Sequence, residues 1–353
     1  MKIHFIKKAA FVFDLSFLFF LYFNKDLCFS KEERFFQPTE ENRKHVETLL
    51  SMISPIPPEL YLFFYKSNSS KVFFTEQLFH SQHSCFADET YDLSTILKTI
   101  TTQKDELNNN LFRYYFEGQN LPNWNEAQER LRYINQLIRK SDYNSTLKNS
   151  LYAFFIDPES IWNTLKKQLL EKANLLTEYY KENTLLLQKL SHGFETETTL
   201  KGLKYLGNLN IDTVEQIYVS FTLCNSYLFL YYVNNNKLLL FLGAYYQEMI
   251  ADIIKQSENP DLLLLGNVLS DNTRLQMIRF IARKKEVSVK DIQDEFGFTA
   301  ANSYYHLNKM QNSGMLLTRN QGRKVLYRIN QIYFNRLSNI FGEYGCLEIK
   351  HPS

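Results

Sequence analysis

Apolar residues dominate from 9 to 23, interrupted by the charge of Asp14, and the stretch predicts a buried helix or strand. Residues 38–50 read as a polar helix. It ends before Pro55, Pro57 and Pro58, which lack amide donors and restrict the residues preceding them. Helical patterns follow near 60–80, 92–117 and 124–141, the last two separated by a break around Pro122. Asp157-Pro158-Glu159 combines an N-cap acceptor, a proline suited to the first helical position and an acid favoured by the helix dipole. Ile161, Leu165, Leu169, Ala173 and Leu176 then recur at helical spacing, and the pattern runs to about Leu190. Unbroken, that helix has about 33 residues and spans about 50 Å, a length that suits a dimer contact or a spacer.

The periodicity changes at 215–242. Three apolar runs of strand length, 216–223, 227–233 and 237–242, the first two rich in β-branched or aromatic residues, are separated by Cys224-Asn-Ser226 and Asn234-Asn-Asn236. They predict a small antiparallel β-meander. A helix near 244–257 leads to a hinge at Ser257-Glu-Asn-Pro260.

Beyond the hinge the pattern is dense. Asp271 and neighbouring polar residues precede an amphipathic helix with Leu275, Ile278, Phe280 and Ile281 on its apolar stripe. Ser288 caps a short helix, Val289 to Phe296, with Ile292 and Phe296 inward. Gly297 supplies a tight turn, and Thr299 caps a further helix, Ala300 to about Asn312, whose inward positions are Ser303, Leu307 and Met310. Gly314 ends that helix. Met315 to Arg319 and Arg323 to Asn330 then form a β-hairpin with a basic tip at Gly322, in which Val325, Tyr327 and Ile329 share one face. Two helices about a glycine turn, a preceding helix and a basic hairpin make a winged helix-turn-helix at 259–335, with 336–353 left as a tail. The whole is α+β and mostly helical: an N-terminal helical domain, 1–258, with the meander, followed by the winged helix.

Composition adds one point and removes several. Residues 266–331 hold 11 Lys and Arg against 5 Asp and Glu, a net +6, whereas residues 1–265 hold 27 against 31. A basic module on an acidic body is the layout of a protein whose one part meets a polyanion. The four cysteines, Cys28, Cys85, Cys224 and Cys346, are dispersed, which argues against a disulfide framework and for a reducing cytoplasm. The apolar stretch 9–23 is shorter than the roughly 20 residues of a membrane span, so no membrane partner is expected.

Leu269-Ser-Asp-Asn-Thr-Arg-Leu-Gln-Met-Ile278 resembles the opening helix of ArsR-type winged-helix repressors. Phe298-Thr-Ala-Ala-Asn-Ser-Tyr-Tyr-His-Leu307 resembles their recognition helix, and Gly322-Arg-Lys-Val-Leu-Tyr-Arg-Ile-Asn330 their wing. The resemblance implies a homodimeric regulator, often a repressor released by an effector, that binds partly palindromic double-stranded DNA. Metal-sensing members carry paired cysteines before the turn. Glu286-Val-Ser-Val-Lys-Asp-Ile292 has none, so no metal or other cofactor is expected. Any effector, a small molecule or a protein, would then act on the N-terminal domain.

A helix in the major groove reads base edges with its exposed N-terminal residues. Here those are Ala300, Ala301, Asn302, Tyr304, Tyr305 and Asn308, with Thr299 placed for phosphate. Asn302 and Asn308 suit adenine, and the alanine methyls suit thymine methyls. Arg319, Arg323 and Lys324 in the wing would contact backbone or minor groove.

Other candidates have plainer readings. His306 is expected to pack or touch phosphate. His80, His83 and Cys85 lack the second cluster a tetrahedral site requires. Gly202 to Gly207 imitates a phosphate loop but lacks the Lys-Ser/Thr that follows one. Arg283-Lys284-Lys285 reads as a solvated helix end, with phosphate contact the alternative. Residues 1–258 contain no Gly-rich loop, acid–histidine metal spacing or nucleophile motif, which argues against an enzyme. A winged helix turned protein-interaction module is the alternative that the basic wing disfavours.

Overall fold

The computed structural model describes residues 2–25, 40–65, 92–206, 214–234, 236–258, 260–321 and 324–345. At 41–42, 206, 234, 256–258, 319–321, 324 and 345 it describes the backbone alone. The described chain is mostly helical with two small sheets. It divides into two compact units: the described residues of 1–194 with 214–246, and those of 195–213 with 247–353.

The first unit opens on β1 (Lys2–Phe5) and α1 (Lys8–Phe23). There follow α2 (Glu40–Ile53), a 3-10 turn at Pro58–Leu60, α3 (Tyr61–Phe64), α4 (Leu93–Thr102), α5 (Lys104–Tyr115), α6 (Ala127–Lys140), α7 (Ser145–Ile156), α8 (Pro158–Glu182) and α9 (Thr184–His192). The strands β2 (Gln216–Phe221), β3 (Phe229–Asn234) and β4 (Lys237–Leu242) complete it. The apolar stretch expected to be a buried helix or strand is the helix α1, with Leu15, Leu18 and Phe19 fully buried. Lys7 cannot cap it. Ser220 of β2 does so instead, its Oγ accepting from Ala10 N (2.9 Å) while donating to Ile6 O (2.6 Å).

The strands do not form the expected meander. Only β3 and β4 are an antiparallel hairpin; β2 pairs parallel to β4, and β1 parallel to β2, giving the order β1-β2-β4-β3. The chain skips a position after β2 and returns between the two strands already laid down. Short connections suggest adjacent antiparallel strands, but Gly243 lets the start of the next turn lie against Asn225 and Ser226, where a Cβ would sit 2.2 Å from backbone. The connection from β2 therefore passes over the end of β4.

The single long helix expected over 158–190 is two. Asp157 caps α8 as expected, accepting from Ser160 N at 3.0 Å, but α8 stops at Glu182. There Asn183 Nδ2 donates to Tyr179 O (2.9 Å) and Thr184 Oγ1 to Lys181 O (2.8 Å), side-chain bonds that compete for the carbonyls the helix would use. Nor is α8 a free spacer: Ile161, Trp162, Leu165, Leu169 and Leu176 are in the core. The aromatic richness of the chain fills the same core, where Phe63, Phe64, Phe112, Phe154, Phe155 and Trp162 are inaccessible to solvent. Each such burial is worth roughly 1.5–3 kcal/mol. Gaps in their polar edges are closed locally, as where Trp162 Nε1 donates to Asn108 Oδ1 at 2.8 Å.

The second unit contains α10 (Thr196–Leu206), α11 (Tyr246–Glu258, from its second residue), α12 (Leu262–Leu269), α13 (Asn272–Lys284), β5 (Val287–Ser288), α14 (Val289–Phe296), α15 (Ala300–Asn312), β6 (Leu316–Gln321), β7 (Lys324–Ile329) and α16 (Gln331–Gly345). The expected division at 258/259 thus differs from the observed one. Gly202 of α10 lies so close to Ile250 of α11 that a Cβ would meet it at 2.8 Å, and these two helices go together. Of the sequence that imitates a phosphate loop, residues 202–206 are helical and Gly207 lies outside the described residues. The residues expected to be a tail from 336 are largely α16, which places Tyr333 and Leu337 in the core of this unit.

Candidate nucleic-acid interface

The C-terminal unit is built around α13, α14, α15 and the sheet β5-β7-β6. Arg274, buried in α13, fixes its approach: Nε donates to Val268 O (2.9 Å), Nη2 to Asn267 O (2.8 Å), and Nη1 pairs with Asp271 at 3.0 Å. Asp271 in turn accepts from Thr273 N and Arg274 N, capping the helix. At α14 a reciprocal cap forms, Ser288 N donating to Asp291 Oδ2 (2.7 Å) and Asp291 N to Ser288 Oγ (3.3 Å).

Gly297 ends α14 at φ 67° and ψ 27°, the left-handed conformation that costs glycine nothing. Two residues later Thr299 caps α15, accepting from Asn302 N at 3.3 Å. The spacing fixes which side of α15 faces inward. Ser303, Leu307 and Met310 are fully buried, as the periodicity predicts, with Leu307 and Met310 packed beside Met277, Ile281, Ile292 and Tyr327. The opposite side opens outward. Thr299, Ala300, Ala301, Asn302 and Tyr305 are exposed, while Tyr304 and Asn308 are half-buried.

At the far end Gly314, at φ 85°, lets Met315 N reach back to Met310 O (3.0 Å) and closes the helix. Asn330 then ties this turn to the end of the hairpin, donating from Nδ2 to Gly314 O at 2.9 Å and from its backbone to Met315 O at 2.9 Å. The hairpin pairs Thr318 with Tyr327, Arg319 with Leu326 and Gln321 with Lys324. Tyr327 is buried, and Val325 and Ile329 lean on the same core. Arg319 and Lys324 therefore sit on strand positions near the tip, where their backbones are described; Arg323 lies outside the described residues.

The exposed face is polar, aromatic and cationic. Lys309 Nζ lies 4.8 Å from the centre of the Tyr305 ring one turn earlier, a cation–π pair on the outer face that the Tyr-to-Lys spacing of four could have revealed. Arg279, Arg283, Lys284, Lys285 and Lys290 are also exposed on α13, the turn after it and α14. His306 is half-buried, stacked on Phe298 at 5.6 Å, with Nδ1 buried and unpartnered. Burial lowers its pKa; Asp271 opposes this, and the positive charges of Arg274 and Lys309 add to it. These influences together favour the neutral ring, which packs on Phe298. Burial also raises the pKa of the Tyr304 phenol.

Among the described residues no three His, Cys, Asp or Glu side chains are grouped so as to hold a metal ion. His80, His83 and Cys85 lie outside them. Among the described residues no helix is long and apolar enough to cross a membrane. No protein-family model matches this chain, and no curated protein matches it in sequence.

Proposed function

We propose that the C-terminal part of the chain is an ArsR-type winged helix-turn-helix that binds double-stranded DNA. In this reading the protein is a cytoplasmic transcriptional regulator, a repressor, acting as a homodimer on a partly palindromic operator. The observation that carries the reading is the division of α15: its inner side anchors in the core, and the residues from Thr299 to Asn302, with Tyr305, stand open at its N-terminal end. A helix held this way offers its first turns to the major groove. Asn302 and Asn308 then read adenine edges, Ala300 and Ala301 meet thymine methyls, and Thr299 with the tyrosine hydroxyls meets phosphate. The wing residues Arg319, Arg323 and Lys324 neutralise phosphate charge. Two-fold symmetry sets half-sites about one DNA turn, or a multiple of it, apart. The first unit supplies the place for an effector, small molecule or protein.

The test is fluorescence anisotropy with an operator selected from random duplexes, at two salt concentrations. Asn302→Ala should cost about 1–3 kcal/mol on the selected site and little on random DNA. Arg323→Ala should weaken both about equally and reduce the salt slope by about one. Absence of salt-dependent DNA binding by the intact chain would overturn the proposal.

A further inference from the structure

Asp14 stands in the middle of α1 and is wholly buried. Its Oδ2 accepts three hydrogen bonds: from the Tyr180 hydroxyl of α8 (2.7 Å), from Leu223 N (2.7 Å) and from Cys224 N (3.2 Å). Its Oδ1, equally buried, has no partner among the described residues. One carboxyl thus joins α1, α8 and the turn after β2. A fourth element reaches the same turn, His45 Nε2 of α2 lying 3.0 Å from Leu223 O, with its ring 6.3 Å from Tyr179.

The groups facing this carboxyl are Tyr179 and Tyr180 on α8, the Cys224 thiol in the turn and, one peptide away, His45. No lysine or arginine among the described residues pairs with it. Three donors on one oxygen favour the anion; complete burial without a countercharge and a bare second oxygen favour the neutral acid. An ordinary structural aspartate resolves that conflict with a cation or with donors on both oxygens. This one leaves the two forms close in energy.

We propose that Asp14 is a proton-operated joint: gain or loss of one proton there changes how firmly α1, α8 and the turn after β2 are held together, and makes the first unit responsive to pH. Burial, the largest influence, outweighs the hydrogen bonds and lifts the carboxyl from 3.8 to about 7. The folded chain therefore keeps the proton longer than the unfolded chain. The stabilisation is complete below the ordinary aspartate range, declines as pH rises toward about 7, and is constant above that. Tyr179, Tyr180 and Cys224 do not titrate in this window, because burial moves each of them upward.

Trp124 and Trp162, both in the first unit, are the only tryptophans, so their fluorescence reports its unfolding. In urea titrations of the full chain the unfolding constant should rise with pH, approaching tenfold per pH unit between about 5 and about 7. Asp14→Asn offers an amide oxygen to the same three donors and should flatten this slope. His45→Gln should leave it. A flat wild-type profile, a slope surviving in Asp14→Asn, or one abolished by His45→Gln would each overturn the proposal. Should Asp14→Asn not fold, the wild-type chain still decides the matter. Carboxyl carbon-13 spectra should then show one aspartate titrating near neutrality, and its absence would overturn the joint.

Discussion

Gly297 and Gly314 bracket α15, and both have positive φ, so replacing each with alanine separates backbone strain from crowding. At Gly297 an added Cβ would have nothing within 4 Å. The cost is strain alone, about 1–2 kcal/mol for an L-residue in the left-handed region. The stiffer unfolded chain returns about 0.4–1 kcal/mol, which leaves about 0.5–1 kcal/mol. At Gly314 the same strain applies, but the Cβ would meet Tyr333 Cδ2 at 3.1 Å and Cε2 at 3.2 Å. Tyr333 is 2% exposed, and its backbone N–H is tied to Asn330 Oδ1. The ring has little room to retreat, which adds about 1–3 kcal/mol. Gly314→Ala should therefore cost about 2–4 kcal/mol, on the order of tenfold or more in the folding constant beyond Gly297→Ala. Tryptophan fluorescence does not report on this unit, so the assay is hydrogen exchange read by mass spectrometry on peptides spanning α15. Equal losses of protection, or a larger loss in Gly297→Ala, would refute the reasoning.

Further outcomes follow from the same geometry. Arg274→Ala should destabilise the second unit by about 2–4 kcal/mol, since it removes a buried cation bonded to two carbonyls and Asp271. Arg274→Lys should recover little, because one ammonium cannot reproduce the guanidinium fork; exchange protection of α13 measures both. Ser220→Ala should cost about 1–2 kcal/mol by uncapping α1, seen as an earlier urea midpoint in tryptophan fluorescence. Asn302→Ala should change exchange protection of α15 by less than about 0.5 kcal/mol, so that any loss of DNA discrimination is attributable to contact and not to unfolding.

The legible parts of the chain were those governed by local chemistry. Asp157, Ser288 and Thr299 each cap the helix that their side chains and spacing indicated, and Gly297 takes the left-handed turn. The inward set Ser303, Leu307 and Met310 followed from a period of 3.6. What escaped depended on distant partners. Pairing of β1 with β2 leaves no mark in either segment, and a strand of four exposed residues has no alternation against a core. The break at Asn183 was hidden because the leucines of α9 continue the helical spacing although none is buried. Helix α16 was missed because its buried positions, Tyr333 and Leu337, are sparse. For the candidate interface, burial confirms which face of α15 is open. The sequence could name the residues on that face, while the half-burial of Tyr304 and Asn308 emerges only from the packed unit.

The parallel pairing of β1 with β2 also bears on the order in which the chain can fold. Lys2 lies opposite Gln216, and the Oγ that caps α1 comes from Ser220. During synthesis at about 5–20 residues per second, β1 and the first turn of α1 wait on the order of 10–40 s for these partners. In that interval the aromatic face of α1 has only helices to cover it. Closure of the sheet is a late, long-range event, the slowest kind of contact for a chain to make. Strand β1 and the first turn of α1, made some 210 residues before their partners, are among the last elements to be secured.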